Sequence, residues 1–250
     1  MVGHCFDLTN DMRINKFLAL CGLGSRRKCE QMVLDGRISV DGHVVDALSF
    51  DVPENAQVLC DGEPVGKKEY EYLMLFKPKG FVSTKSDDKG RKTVMDLLPA
   101  NKKHLNPVGR LDYDTEGLLL FTNDGEFANM LAHPSSEVEK TYDVKIEGSV
   151  LESELAVLRA GVVIDGKRTA PCKARVVKTE KGKTTIEMVI HEGRNREIRK
   201  MMEAIGKNII LLKRVKYGPI ALGGLSRGKT RNLRKQEILA LEACAAGGQY

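Results

Sequence analysis

The sequence predicts an α+β protein: a small N-terminal module followed by a larger domain with a mixed, largely antiparallel sheet flanked by helices. Three observations carry that expectation. Strand-like and helix-like segments are interspersed without the regular alternation of a doubly wound parallel sheet. Turn residues such as Asp41-Gly42 often join one strand segment directly to the next. The polar stretch Gly66-Lys67-Lys68-Glu69 reads as a linker between the two parts.

Residues 1–11 are acidic and polar, without the basic-then-apolar order of a secretory leader. They are expected to be a loose extension, or to precede an alternative start at Met12. The first module spans 12–66. Phe17, Leu18, Leu20 and Cys21 recur at helical spacing until Gly22-Leu23-Gly24 breaks the pattern. Ser25 is suited to cap a second helix, which buries Cys29, Met32 and Val33 and stops at Gly36. Ile38-Ser39-Val40, the turn Asp41-Gly42 and Val44-Val45 form a hairpin pattern, and Val58-Leu59-Cys60 is one more short strand.

The second module is expected over 70–245. It opens with a strand from Tyr70 to Phe76, ended by Lys77-Pro78-Lys79-Gly80, because proline cannot continue a ladder and glycine permits the turn. Further strands are expected at Leu118–Thr122, Thr141–Ile146, Ala174–Lys178, Thr184–Ile190 and Ile209–Val215. Helices are expected at Phe127–Ala132, Leu151–Ala160, Arg196–Ile205 and Gln236–Ala245.

The net charge of +6 over 250 residues is only mildly basic. Its distribution says more. From His191 to Lys235 there are thirteen bases and three acids, an excess of ten. A field of one sign points to a polyanion, most often nucleic acid. The six cysteines show no C-x-x-C spacing and no paired histidines, which disfavours zinc and fits reduced thiols in a cytosolic protein. No apolar run reaches the about 20 residues that a membrane span needs. The expected location is the cytoplasm, with no membrane partner.

The stretch from Gly109 to Leu119 is the most informative in the chain. Arg110 and Asp112 stand two residues apart, and Gly117 opens an apolar run. In the first module, Ser25-Arg26-Arg27-Lys28 sets cations in the first turn of a helix, against the helix dipole. Free amides beside Arg26, Arg27 and Lys28 make an anion site suited to phosphate.

Met12-Arg13-Ile14-Asn15-Lys16-Phe17-Leu18, Ser25-Arg26-Arg27-Lys28 and Gly36-Arg37-Ile38-Ser39-Val40-Asp41-Gly42 resemble the S4 RNA-binding domain. In the second module four motifs occur in order: Leu75-Phe76-Lys77-Pro78-Lys79-Gly80, the Gly109–Leu120 stretch, Glu139-Lys140-Thr141-Tyr142, and Glu192-Gly193-Arg194-Asn195-Arg196-Glu197-Ile198-Arg199-Lys200-Met201. Together they resemble the ribosomal pseudouridine synthases of the RsuA/RluB type, over about Met12 to Leu241. The resemblance implies isomerisation of uridine to pseudouridine in ribosomal RNA. The form Pro107-Val108-Gly109-Arg110-Leu111-Asp112-Tyr113-Asp114-Thr115 leans toward RluB-like members, which act on large-subunit RNA.

That reaction detaches uracil at N1, turns it and rejoins it through C5. No group or electron is exchanged overall, so no cofactor is expected, in agreement with the missing nucleotide-binding and zinc spacings. One ionised carboxylate is required, and a cation held against it keeps it ionised despite burial. The resemblance places that carboxylate at Asp112. Asp114, beside Thr115, fits a turn aspartate better. Arg199, at the edge of the stripe Ile198-Met201-Met202-Ile205, is the expected counter-ion, with Arg196 and Lys200 on the more exposed side. An arginine that merely covers the core with its stem is the competing account. A strand tyrosine is most often core, but the resemblance to the family's Lys-x-Tyr motif implies that Tyr142 is the stacking partner of a flipped base. Arg110 is expected to help expel the base or to hold phosphate. Arg194, Asn195, Arg196 and Lys200 are candidate RNA contacts, and Lys77 and Pro78 shape the pocket. His133 and His191 are given no catalytic part. The chain is expected to bind ribosomal RNA as a monomer. Two other classes stay open: a non-catalytic RNA-binding or assembly protein on the same scaffold, and a nucleoside hydrolase. The latter needs two carboxylates flanking the bond, which Asp112 and Asp114 are too close in sequence to do easily.

Overall fold

The computed structural model describes residues 12–66 and 68–247. The extension expected over 1–11 lies outside them. The chain divides into two compact units after Tyr70.

In the first unit, strand β1 (Met12–Arg13) leads into helix α1 (Ile14–Leu20). Helix α2 (Arg26–Leu34) is capped by Ser25, whose Oγ accepts from the Lys28 N–H at 3.2 Å. That bond satisfies one of the amides a helix start leaves free. Strands β2 (Ile38–Val40) and β3 (His43–Val44) form a hairpin through Asp41 and Gly42, both left-handed at φ 48° and 85°. A two-residue hairpin turn of the right twist needs that backbone, which Asp-Gly adopts readily. Strand β4 (Asp51–Val52) pairs with β1. Strands β5 (Val58–Cys60) and β6 (Glu63–Pro64) complete a four-stranded sheet in the order β3-β2-β5-β6. Ile14, Leu18, Cys29, Val33 and Ile38 fill the core between helices and sheet.

The second unit begins with β7 (Tyr72–Lys77), β8 (Asn106–Val108) and β9 (Glu116–Thr122). Helix α3 (Gly125–Ala132) starts at Asp124, whose carboxylate accepts from the N–H groups of Glu126 and Phe127 at 3.0 Å each. Strand β10 (Lys140–Glu147) and helix α4 (Glu152–Ala160) follow, then the short strands β11 (Val163–Ile164) and β12 (Lys167–Arg168). A long hairpin comes next, β13 (Lys173–Glu180) and β14 (Lys183–Ile190). Helix α5 (Glu197–Ala204) precedes β15 (Ile209–Tyr217), and β16 (Ile220–Ala221), β17 (Thr230–Asn232) and α6 (Lys235–Ala245) close the described chain.

These strands form one sheet in the order β13-β14-β10-β15-β9-β7-β17, with β16 on β15 and β8 on β9. Among the described residues β9 with β15 is its one parallel pair of strands, so the sheet is mixed and largely antiparallel. Strand β9 is buried along its whole length. Leu119 and Phe121 share one core with Leu155 and Leu158 of α4 and Met201 and Met202 of α5. Leu118 and Leu120, on the opposite face, pack on Phe127 and Leu131 of α3 and Leu241 of α6. Two covered faces explain why this strand reads as a continuous apolar run rather than an alternating one. Each such side chain contributes about 2 kcal/mol by burial.

Candidate active site

The site is built around the loop Gly109–Thr115 that joins β8 to β9. Lys77, the last residue of β7, is fully buried beneath it. Its Nζ donates to the backbone oxygens of Asp112 at 2.9 Å, Thr115 at 2.8 Å and Pro78 at 3.2 Å. Three acceptors match the three N–H bonds of an ammonium. Burial pushes Lys77 down to about 8, against the pull of Asp112 and Asp114. The Thr115 N–H closes the turn on Asp112 O at 3.1 Å. From the other side Ser83 Oγ accepts from the Leu111 N–H at 3.1 Å and donates to Leu111 O at 2.8 Å. The backbone carrying Asp112 is thus held on both flanks.

Gly117 fixes where this loop meets the sheet. Its φ is +122°, and a Cβ there would lie 2.2 Å from Arg214 O. Only glycine lets β9 approach β15 this closely, at the parallel pairing Gly117↔Arg214.

Asp112, half-buried, faces a cavity of about 760 Å³ whose lining includes Arg110, Tyr142, Arg194, Glu197 and Arg214. Its carboxylate has no hydrogen bond or ion pair among the described residues. Tyr142 sits on β10, opposite Met188 of β14 and Arg214 of β15, beside a bulge in the β10–β15 ladder. The bulge re-aims side chains next to the cavity, as such irregularities do at binding sites.

The expected direct pairing of Arg199 with Asp112 is not found. Arg199 instead donates to Asp114 O at 3.1 Å and pairs with the Asp114 carboxylate at 3.3 Å. Burial pushes the Arg199 guanidinium below its usual range; Asp114 is the largest opposing charge and Asp112 a smaller one. In the folded loop it is Asp114, not Asp112, that meets the start of α5. Asp114 is therefore more than a turn residue. Arg196 binds it as well, at 3.3 Å, from a left-handed backbone position (φ 52°) that starts α5 one residue later than the apolar spacing suggested.

Comparison with known proteins gives this arrangement a family. The model for RNA pseudouridylate synthase matches residues 71–204, and that for the S4 domain matches residues 12–58. The chain belongs to the RNA pseudouridylate synthase family. It is 44% identical to the ribosomal large subunit pseudouridine synthase B of Bacillus subtilis (strain 168), covering 95% of this chain and 98% of that one. It is 41% identical to an uncharacterised RNA pseudouridine synthase of Aquifex aeolicus (strain VF5), covering 92% and 94%. A crystal structure of a pseudouridylate synthase superposes with a TM-score of 0.67 at 28% identity, covering 92% of this chain and 99% of that one.

In the synthase the remaining candidates fall into distinct places. Arg110 is exposed and lines the cavity with Asn195 and Arg196. Arg194 also lines it, but its guanidinium is held by Glu192 at 3.0 Å and Arg168 O at 2.9 Å. Lys200 pairs with Asp165 and is not part of the lining. Arg26, Arg27 and Lys28 are exposed on the first turn of α2 in the other unit. The concentrated positive field expected from 191 to 235 is largely neutralised in the fold. Lys207, Lys213, Arg227 and Arg231 pair with Glu154, Asp143, Glu116 and Glu237. All four of those acids come from outside the segment, which a count along the chain cannot see.

Sequence reasoning missed the cavity floor. Lys140, Glu197, Arg214 and Tyr217 all line it. Lys140 was visible in the Lys-x-Tyr motif, and Leu212 and Arg214 alternate on one strand face. Glu197 was masked by its place in an apparently exposed charged run. Burial pushes its carboxyl up to about 7, while Glu192 is held below the carboxylate range by the Ala170 N–H and Arg194, against its own desolvation.

Proposed function

We propose that this synthase isomerises a uridine of ribosomal RNA, in the large subunit, to pseudouridine, with Asp112 as the essential carboxylate. The observation that carries the reading is the unpartnered Asp112 carboxylate, presented to a roomy cavity by a loop whose backbone is clamped from below. A catalytic acid group must be free to meet its substrate yet fixed in position, and this one satisfies both conditions. The large-subunit assignment rests on the similarity to the B. subtilis enzyme.

In this reading the target uridine leaves its stack and enters the cavity, where the Tyr142 ring packs against the base. Arg110 at the exposed mouth takes the place of the extruded base or holds its phosphate. Arg199 fixes Asp114, so it positions the Asp112 loop and adds positive potential from a distance. Asn195 and Arg196 contact the RNA backbone beside the cavity. Arg194 contributes from a braced position, and Lys200 at the far side of α5. Arg26, Arg27 and Lys28 grip phosphates from the S4 domain. The domains are 12–66 for RNA binding and 70–245 for catalysis. The protein works as a monomer in the cytoplasm, without cofactor.

Pseudouridine mapping of ribosomal RNA from cells with the gene, without it, and with only Asp112→Asn tests this. One large-subunit position should be modified in the first and unmodified in the other two. Modification that persists with Asp112→Asn removes Asp112 from the mechanism. RNA binding unchanged by gene product that modifies nothing would instead favour an assembly protein.

A further inference from the structure

The cavity is lined by two cations, Arg214 and Lys140, that form no ion pair with a carboxylate among the described residues. Arg214 is 3% exposed on the central strand β15. Its Nε donates to Leu118 O at 2.8 Å, and its guanidinium carbon stands 5.0 Å from the Tyr217 ring centroid. Its Nη2 is buried with no acceptor. Lys140 lies over the same ring at 5.8 Å and donates to His191 O at 2.8 Å. Neither cation has a carboxylate within ion-pair distance among the described residues. Burial, then Arg214, pushes Lys140 down to about 8; Glu197 favours its charged form, but burial pushes that carboxyl up to about 7. A buried guanidinium with an unused donor is costly unless something supplies an acceptor.

The walls say which acceptor. Alongside Arg214 and Lys140 the lining includes Tyr142, Ile190, Leu212 and Tyr217, flat or apolar surfaces suited to a pyrimidine ring. A phosphate would instead find its donors at the exposed Arg110 and Arg196.

We propose that Arg214 is a further catalytic residue, donating from the cavity floor to a carbonyl oxygen of the extruded uracil. This rests on the function proposed above and assigns one more group to it. The N1–C1′ bond breaks with its electron pair on the ring, and the negative charge spreads to O2 and O4. C5 then bonds C1′, C5 gives up its proton and N1 takes one up, so nothing is gained or lost overall. A guanidinium fixed at O2 or O4 stabilises the charged ring more than the neutral base, and tethers the ring while it turns. Such a contact raises the rate rather than the affinity.

The test uses the full-length protein and large-subunit ribosomal RNA transcribed with uridine tritiated at C5. Tritium release is followed under single-turnover conditions. Arg214→Gln should slow release by about 100-fold or more. Arg214→Lys should fall between it and wild type. RNA affinity by filter binding should stay within about threefold, as for a contact made mainly in the transition state. An Arg214→Gln enzyme as fast as wild type overturns the proposal. So does a loss of affinity that matches the loss of rate, which would mark a phosphate contact. If neither variant folds, wild type decides on transcripts made with 2-thiouridine or 4-thiouridine, since sulfur is a poor acceptor. Slowing on one of them supports the contact, and uridine-like rates on both overturn it. A wild-type protein that releases no tritium from the uridine transcript overturns the proposed function and this inference together; an active wild type matched by Arg214→Gln overturns only the inference.

Discussion

Lys77 shows how much a single buried side chain controls. Replacing it by methionine leaves the carbonyls of Asp112 and Thr115 without their donor, at a cost of about 1–3 kcal/mol each. Lys77→Met should therefore lower the unfolding midpoint and reduce kcat more than it raises KM, because the loop loses its register beneath the substrate. A kcat equal to wild type would show that the loop holds its shape alone. Glu197 gives a pH prediction. Its carboxyl is shifted from 4.5 up to about 7 in the folded chain. A carboxyl raised by burial contributes stability below about 4.5, and that contribution is lost as pH climbs through about 7. Glu197→Gln, always neutral, escapes the loss while its amide oxygen still accepts from the Arg194 N–H. The variant should gain on wild type in thermal unfolding between pH 5 and pH 8. A difference that stays constant over that range would remove Glu197 from the pH response.

At the scale of elements, the long apolar segments were legible and the short polar strands were not. The runs that became β7, β9, β10, β14 and β15 carry enough Leu, Ile, Val and Phe to declare themselves. Strand β8 is Asn-Pro-Val and β17 is Thr-Arg-Asn. Their strand character comes from the sheet edges they dock on, which a local pattern does not contain. The same holds in the site. Asp112, Tyr142 and Arg110 lie in motifs, so their shared cavity was foreseeable from the resemblance. The Asp114–Arg199 pair and the role of Lys77 depend on how β7, the loop and α5 meet, and spacing along the chain is silent about that. Two elements can be tested directly. Gly117→Ala drives a methyl group into Arg214 O and should cost at least about 3 kcal/mol, read by denaturant unfolding. A fully folded, active Gly117→Ala enzyme would mean that β9 and β15 separate more easily than their packing indicates. Ser25→Ala removes the cap of α2 and should cost about 1 kcal/mol.

For the whole molecule, charge and topology set the behaviour. No helix among the described residues is long and apolar enough to cross a membrane. RNA binding should weaken with salt, but by fewer phosphate contacts than the basic segment's composition suggests, since many of its bases already have acidic partners. Removing Arg27 or Arg110 should flatten the plot of log affinity against log salt by about 0.7–0.9 each. Removing Arg231, bound to Glu237 at 2.7 Å, should leave the slope alone. Equal effects from all three would mean that the ion pairs open on binding.

Strand β15 lies between β10 and β9, yet it is made after both. During synthesis, then, a chain that already contains Asp112 still lacks the strand that joins β10 to β9. It has neither a floor for its cavity nor the backbone against which Gly117 fits. The nascent enzyme should stay inert, and prone to sticking to other chains, until its last quarter emerges and the missing strand slots home.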